Sequence, residues 1–96
     1  MVDLAWAAGI FEGEGCINTK AKAATQVTVT QRDTYILYKL QELFGGYVYI
    51  PKPPHCALWQ TTGARARGFI FTVFSWLSPR RRKQIRKELA KWRPTE

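Results

Sequence analysis

Residues 4–11, Leu-Ala-Trp-Ala-Ala-Gly-Ile-Phe, carry no charge, and two glutamates framed by glycines follow at once, Glu12-Gly13-Glu14-Gly15. The first part reads as a helix, with Asp3 placed to cap it, and the second as the turn that ends it. A helix that is apolar all round is buried all round. One face is expected to rest on the protein's own sheet. The opposite side, with Ala5, Ala8 and Gly9 all small, is shaped for a second helix at close range. Carboxylates at the end of a buried helix are costly unless a cation stands nearby, the more so because a helix C-terminus is itself negative. A divalent metal suits the position, since hard cations take carboxylate and backbone carbonyl oxygens.

The remaining chain alternates hairpins with helices. Residues 16–22 alternate loosely as a strand, with Ile17 and Thr19 on one face and Asn18, Lys20 and Lys22 on the other. Residues 26–31, Gln-Val-Thr-Val-Thr-Gln, have strict period two and are β-branched, with Val27 and Val29 inward and Gln26, Thr28 and Thr30 outward. Asp33 caps a second helix ending at Phe44 before Gly45-Gly46. A third strand covers 47–50, with Val48 and Ile50 inward and Tyr47 and Tyr49 outward. Prolines 51, 53 and 54 break it. A fourth strand covers 55–61, with Trp59 inward and Gln60 outward. Thr62 caps a third helix running to Leu77, whose apolar residues Ala66, Phe69, Ile70, Val73, Phe74 and Leu77 keep helical spacing. Ser78-Pro79 starts a basic helix with Ile85, Leu89 and Trp92 as its seam. This αββαββα order predicts an α+β domain, one antiparallel four-stranded sheet with helices on one face, followed by a C-terminal basic helix. Its 96 residues form one domain, a core over 1–77 and the basic helix over 78–96.

Charge points to the partner. Net charge is +8, and residues 78–96 hold eight Lys/Arg against two Glu. A polyanion, nucleic acid before membrane, is implied. No apolar run is long enough to span a bilayer. Cys16 and Cys56 lack zinc-site spacing and are expected to be reduced, buried thiols, which fits a cytoplasmic or organellar-matrix protein that is not secreted. His55 is expected to be a loop residue and the four tryptophans packing residues. The expected outward sheet face offers amides, hydroxyls and ammonium groups, which are the groups that read base edges in a major groove. Cations Arg80, Arg81, Arg82 and Lys83 crowd a helix N-terminus, where they are unfavourable without an anion such as phosphate.

The segment Ala7-Ala8-Gly9-Ile10-Phe11-Glu12-Gly13-Glu14-Gly15 resembles the signature of the LAGLIDADG homing endonucleases. Ala8, Gly9, the apolar pair, both acidic positions and Gly15 fit it. Ala7 stands for the usual leucine, Gly13 for alanine, and Glu for Asp at both acids. The resemblance extends over roughly residues 3 to 77. It implies the αββαββα saddle fold and a site-specific double-stranded DNA endonuclease, usually intron- or intein-encoded, that uses Mg²⁺ or Mn²⁺ and no small-molecule cofactor. Alternatives of the same fold are an intron RNA maturase and a DNA-binding protein that does not cleave.

The family pattern places the essential acid on Glu14, with the Gly13 carbonyl as a second metal ligand. Glu12 falls where the first acid more often supports the helix end. Gln31 falls near metal-bound water, and Arg80 near the basic position that approaches the scissile phosphate. DNA contacts are expected from Asn18, Lys20, Lys22, Gln26, Thr28 and Thr30, from Tyr47, Tyr49 and Gln60, and from Arg81, Arg82 and Lys83. One acidic motif per chain implies a homodimer for cutting two strands. Its interface is expected at Leu4, Ala5, Ala8, Gly9 and Glu12. A strand of about seven residues spans about 23 Å, or about seven base pairs. Two saddles and a central gap therefore imply a pseudo-palindromic site of roughly 16–22 base pairs.

Overall fold

The computed structural model describes residues 2–19, 24–52 and 55–91. Lys20, Lys22 and Trp92 lie outside the described residues. Helix α1 (Val2–Glu14) passes directly into strand β1 (Gly15–Thr19), and β2 (Thr25–Gln31) completes the first hairpin. Helix α2 (Thr34–Phe44) leads to β3 (Tyr47–Tyr49) and β4 (Ala57–Thr62). Helix α3 (Gly63–Val73) tightens into a 3₁₀ turn at Phe74–Trp76, and α4 (Pro79–Leu89) follows. The sheet order is β1-β2-β4-β3, with every neighbouring pair antiparallel. The α+β architecture read from the periodicities is the one observed.

Register sorts the strand residues into two faces. Gly15, Val29, Trp59 and Val48 form one row across all four strands, and Ile17, Val27 and Thr61 form another. Both rows face the core, which Ala7, Phe11, Leu37, Leu40, Phe69 and Ile70 of the helices complete. Phe69 is its hub. Its ring lies edge-on to Phe44 at 4.9 Å, Trp59 at 5.2 Å and Phe11 at 6.0 Å. Such aromatic pairs add about 0.5–1.5 kcal/mol each beyond their buried area.

Two glycine sites fix how helices meet strands. At Gly45 and Gly46 φ is 77° and 86°, the left-handed region that glycine tolerates. A side chain on Gly46 would also stand 2.6 Å from the Gln60 carbonyl oxygen. The turn they form sets the Gly45 carbonyl 2.8 Å from the Trp59 indole N–H, which donates to it. At Gly15 a Cβ would overlap the fully buried Phe11 ring. That absence of a side chain lets α1 turn into β1 with no loop between them.

Asp33 caps α2 as expected, its Oδ1 accepting from the Tyr35 N–H at 3.0 Å. Ser78 caps α4, accepting from the Arg81 N–H at 3.2 Å, with Pro79 in the first turn. Thr62 precedes α3 but makes no side-chain cap bond. Helix α4 runs beside edge strand β1. The Thr19 N–H donates to Glu88 Oε1 and the Thr19 hydroxyl to the Glu88 carbonyl, both at 2.9 Å. Covering the edge in this way blocks pairing with another chain.

Several expectations need correction. Described β1 covers Gly15–Thr19, and the expected continuation over 20–22 lies outside the described residues. Strand β3 stops at Tyr49, and Ile50, expected inward, is 54% exposed because pairing with β4 ends at Tyr49–Leu58 ahead of Pro51. Strand β4 begins at Ala57, so Cys56 precedes it. Cys16 is exposed rather than buried, since it shares the outward parity of Asn18 and Thr28. The α-helical part of the third helix ends at Val73 rather than Leu77.

Gly15→Ala should lower unfolding stability by about 1–3 kcal/mol, the range for overpacking a filled core. A urea titration checks this, and an unchanged midpoint would contradict the Phe11–Gly15 contact.

Candidate catalytic and nucleic-acid-facing surfaces

The last turn of α1 sends its two carboxylates to different tasks. Glu12 is half-buried and turned toward α4. Its Oε1 accepts from the Ser78 N–H at 2.7 Å and its Oε2 from the Ser78 hydroxyl at 2.9 Å. Arg80 approaches Oε2 at 3.7 Å. The Ser78 backbone bond, with the hydroxyl, Arg81 and Arg80 adding to it and burial opposing, holds the Glu12 carboxyl below its ordinary range. Glu12 therefore anchors the start of α4. These bonds tie the carboxylate to α4 within the chain.

Glu14 is the contrast. It is exposed at the junction of α1 and β1, and it has no hydrogen bond or ion pair with any described residue. Gly13 beside it is exposed, with open space where a Cβ would stand. Gln31 lies at the same end of the sheet. Gly15 pairs with Val29, so Gln31 sits two residues further along β2 toward the Glu14 end, opposite Ala57 on β4. Arg80 belongs to the same corner through its contact with Glu12, and its side chain is 72% exposed. The structure thus brings Glu14, Gly13, Gln31 and Arg80 to one end of the sheet. No group of three His, Cys, Asp or Glu side chains is close enough to hold a metal alone among the described residues.

Arg81 corrects the sequence reading. Expected at DNA, it is buried, 8% exposed. Its Nε donates to the Glu12 carbonyl at 3.2 Å, Nη1 donates to Gln84 at 2.9 Å, and the guanidinium lies 5.2 Å from the Phe11 ring centroid. The guanidinium satisfies a carbonyl that the helix end leaves without an internal partner. Spacing held the clue, because Arg81 is four residues before Ile85 on the apolar seam of α4. Arg82 is half-buried, with its Nε enclosed and unpartnered. Lys83 is exposed, as are Arg80 and Lys87 on the same side of α4.

The outward sheet face holds the remaining assigned residues in three rows. Nearest the Glu14 end, Thr30, Leu58 and Tyr49 are in register. Next come Cys16, Thr28, Gln60 and Tyr47, spanning all four strands. Farthest out are Asn18, Gln26 and Thr62. Cys16, Leu58 and Thr62 were not anticipated on this face, although strict alternation from Gln60 would have placed Leu58 and Thr62 there.

On α1, Ala5, Gly9 and Gly13 are exposed at four-residue spacing, and a Cβ at Gly9 would meet nothing within 4 Å. Leu4 is half-buried. Ala8, expected at the same contact, is 2% exposed and already packed in the chain's own core. Trp6 forms one shoulder of the stripe and is covered by the Lys39 ammonium 4.6 Å from its ring centroid.

No family model matches the sequence, and no curated protein matches it. Solved structures do match, and they define the fold as that of the LAGLIDADG homing endonucleases. The homing endonuclease I-CvuI, solved in complex with its target, superposes with a TM-score of 0.74 over 88% of this chain and 62% of its own, at 22% identity. The group I intron-encoded homing endonuclease I-CeuI, complexed with DNA, has a TM-score of 0.73 over 93% of this chain and 53% of its own, at 18% identity. The LAGLIDADG homing endonuclease I-LtrWI, bound to target DNA, has a TM-score of 0.67 and 23% identity, and the match covers 88% of this chain and 34% of that one. The chain therefore spans less than two thirds of the length of these proteins.

Because Glu12 is held below its ordinary pKa, its stabilisation is complete above the normal glutamate range and is lost as pH falls through the lowered value. Glu12→Gln should cost about 1 kcal/mol near pH 7. The gap from the parent protein should close in acid. A gap that is constant with pH, measured by denaturant titration, would contradict the anchoring role.

Proposed function

We propose that the protein is a divalent-metal-dependent endonuclease that cuts double-stranded DNA as a homodimer. The observation that carries this reading is Glu14. It is a carboxylate with no partner among the described residues, beside the exposed Gly13, at one end of a sheet whose outer face presents amides and hydroxyls. Such a donor set fits Mg²⁺ or Mn²⁺, which bind one or two carboxylates and take the remaining ligands from water and substrate phosphate. A complete protein cage is not required. When bound, the cation lowers the pKa of water and neutralises charge on the phosphate and the departing 3′ oxygen.

The chain's own residues set up the reaction around that position. Glu14 and the Gly13 carbonyl would hold the ion. Gln31, at the same sheet end, positions the attacking water through its amide. Arg80 stabilises the charge that develops on phosphorus. Its exposed pairing with Glu12 is weak, so it is free to turn to phosphate. Glu12 and Arg81 position it, because they hold α4 against the end of α1.

Dimerisation has support in the exposed Ala5, Gly9 and Gly13 stripe, which lets two α1 helices approach closely. A two-fold axis there is self-complementary and brings both Glu14 residues to one stretch of duplex. Exposed Arg80, Lys83 and Lys87 on α4 flank the sheet and supply phosphate contacts.

Glu14→Gln keeps shape and removes charge. Cleavage of a plasmid library in Mg²⁺ should fall by at least a hundredfold, with DNA retention in EDTA unchanged. Full cleavage by the variant would sink the assignment. Retention without cleavage by the unsubstituted protein would favour a DNA-binding protein that does not cleave.

A further inference from the structure

Taking the outer sheet face as a DNA reader, as proposed above, we infer that each half of the target is an A·T-rich tract, with thymine methyls read near the catalytic end and adenines read farther out. The three outward rows are about 6.8 Å apart along the strands. At about 3.4 Å per base pair, each row faces about two base pairs. The rows differ in chemistry, so the code they read is graded along the duplex.

The outer row is an amide row. Asn18 and Gln26 are direct cross-strand neighbours, and Gln60 lies one row inward beside Thr28. None of these three amides is hydrogen-bonded to a described residue. Each keeps an N–H and a C=O side by side, which matches the N7 acceptor and N6 donor of adenine as a bidentate pair. The row nearest Glu14 is centred on Leu58, between Thr30 and Tyr49. A leucine has nothing to offer a base's polar edge. Set against guanine or cytosine it would strip water from the O6, N7 or N4 group and return no hydrogen bond. Set against a thymine methyl it buries apolar surface.

No described residue on the outward strand positions carries a charge. Among the described residues, the side chains that pair with guanine in two-point contacts, Arg and Lys, are not on the strands of this face, and Lys20 and Lys22 lie outside the described residues. Arg32 follows β2, Lys52 follows β3, and Arg65 occupies the first turn of α3. Of these, Arg65 shares a concavity with Tyr47, Gln60 and Thr62 at the edge of the face. The described face is therefore built from groups whose best partners are adenine and thymine.

Selection of bound duplexes from a randomised library, in EDTA so that binding alone is read, tests this. The expected consensus carries about six A·T-biased base pairs in each half-site. Asn18→Ala should relax the adenine preference at an outer position about tenfold. Leu58→Arg should move the inner positions toward G·C. A parent consensus rich in G·C under these rows would overturn the inference while leaving DNA binding intact. A uniform loss across all sequences from Asn18→Ala would also overturn it. Retention of no duplex at all would overturn the DNA-reading proposal, and this inference with it.

Discussion

Helix α1 enters strand β1 without a loop because Gly15 leaves room for the Phe11 ring, and the placement of the site depends on that contact. A loop would let the helix end wander relative to the sheet. Here the last turn of α1 is rigidly set at one end of the four strands. Glu14 leaves that turn toward solvent and Glu12 leaves it toward α4. One short segment therefore fixes three things together: the core contact through Phe11, the free carboxylate, and the anchor of the basic helix.

The anchor shows how a half-buried charge cluster becomes tolerable. The end of α1 presents carbonyls and a carboxylate, and the start of α4 presents N–H groups and arginines. Each supplies what the other lacks. The Ser78 N–H and hydroxyl satisfy the Glu12 carboxylate, and Arg81 satisfies the Glu12 carbonyl while stacking on Phe11. At its far end α4 is fixed by Thr19 and Glu88. Held at both ends along β1, the helix presents Arg80, Lys83 and Lys87 outward.

Much of this was legible in the sequence. The strict alternation of β2, the Asp33 cap and the Ser78-Pro79 start express local rules, and each holds. The uncharged run is a helix as read, but that helix contains Asp3, leaves Ala5 and Gly9 exposed, and runs through Glu14 into β1 without the expected turn. What failed depended on contacts between distant segments. Arg81 looked like one more surface cation because its partners, Glu12 and Phe11, are about seventy residues away in sequence. Ala8 looked available for a partner helix until the sheet was folded beneath it. Ile50 and Cys16 were misjudged because alternation gives the faces of a strand but not where pairing stops or which face is covered.

The account's central claim is that one chain supplies one metal-binding carboxylate and that two chains act on one duplex. Sedimentation of the protein on a duplex carrying its selected site, in EDTA, followed by addition of Mg²⁺, measures stoichiometry and cutting on the same complex. The account predicts two chains per duplex and breaks in both strands. For Gly9→Leu, which adds bulk to the exposed stripe of α1, it predicts monomers that make no double-strand break. A single chain per duplex that cuts both strands would contradict it.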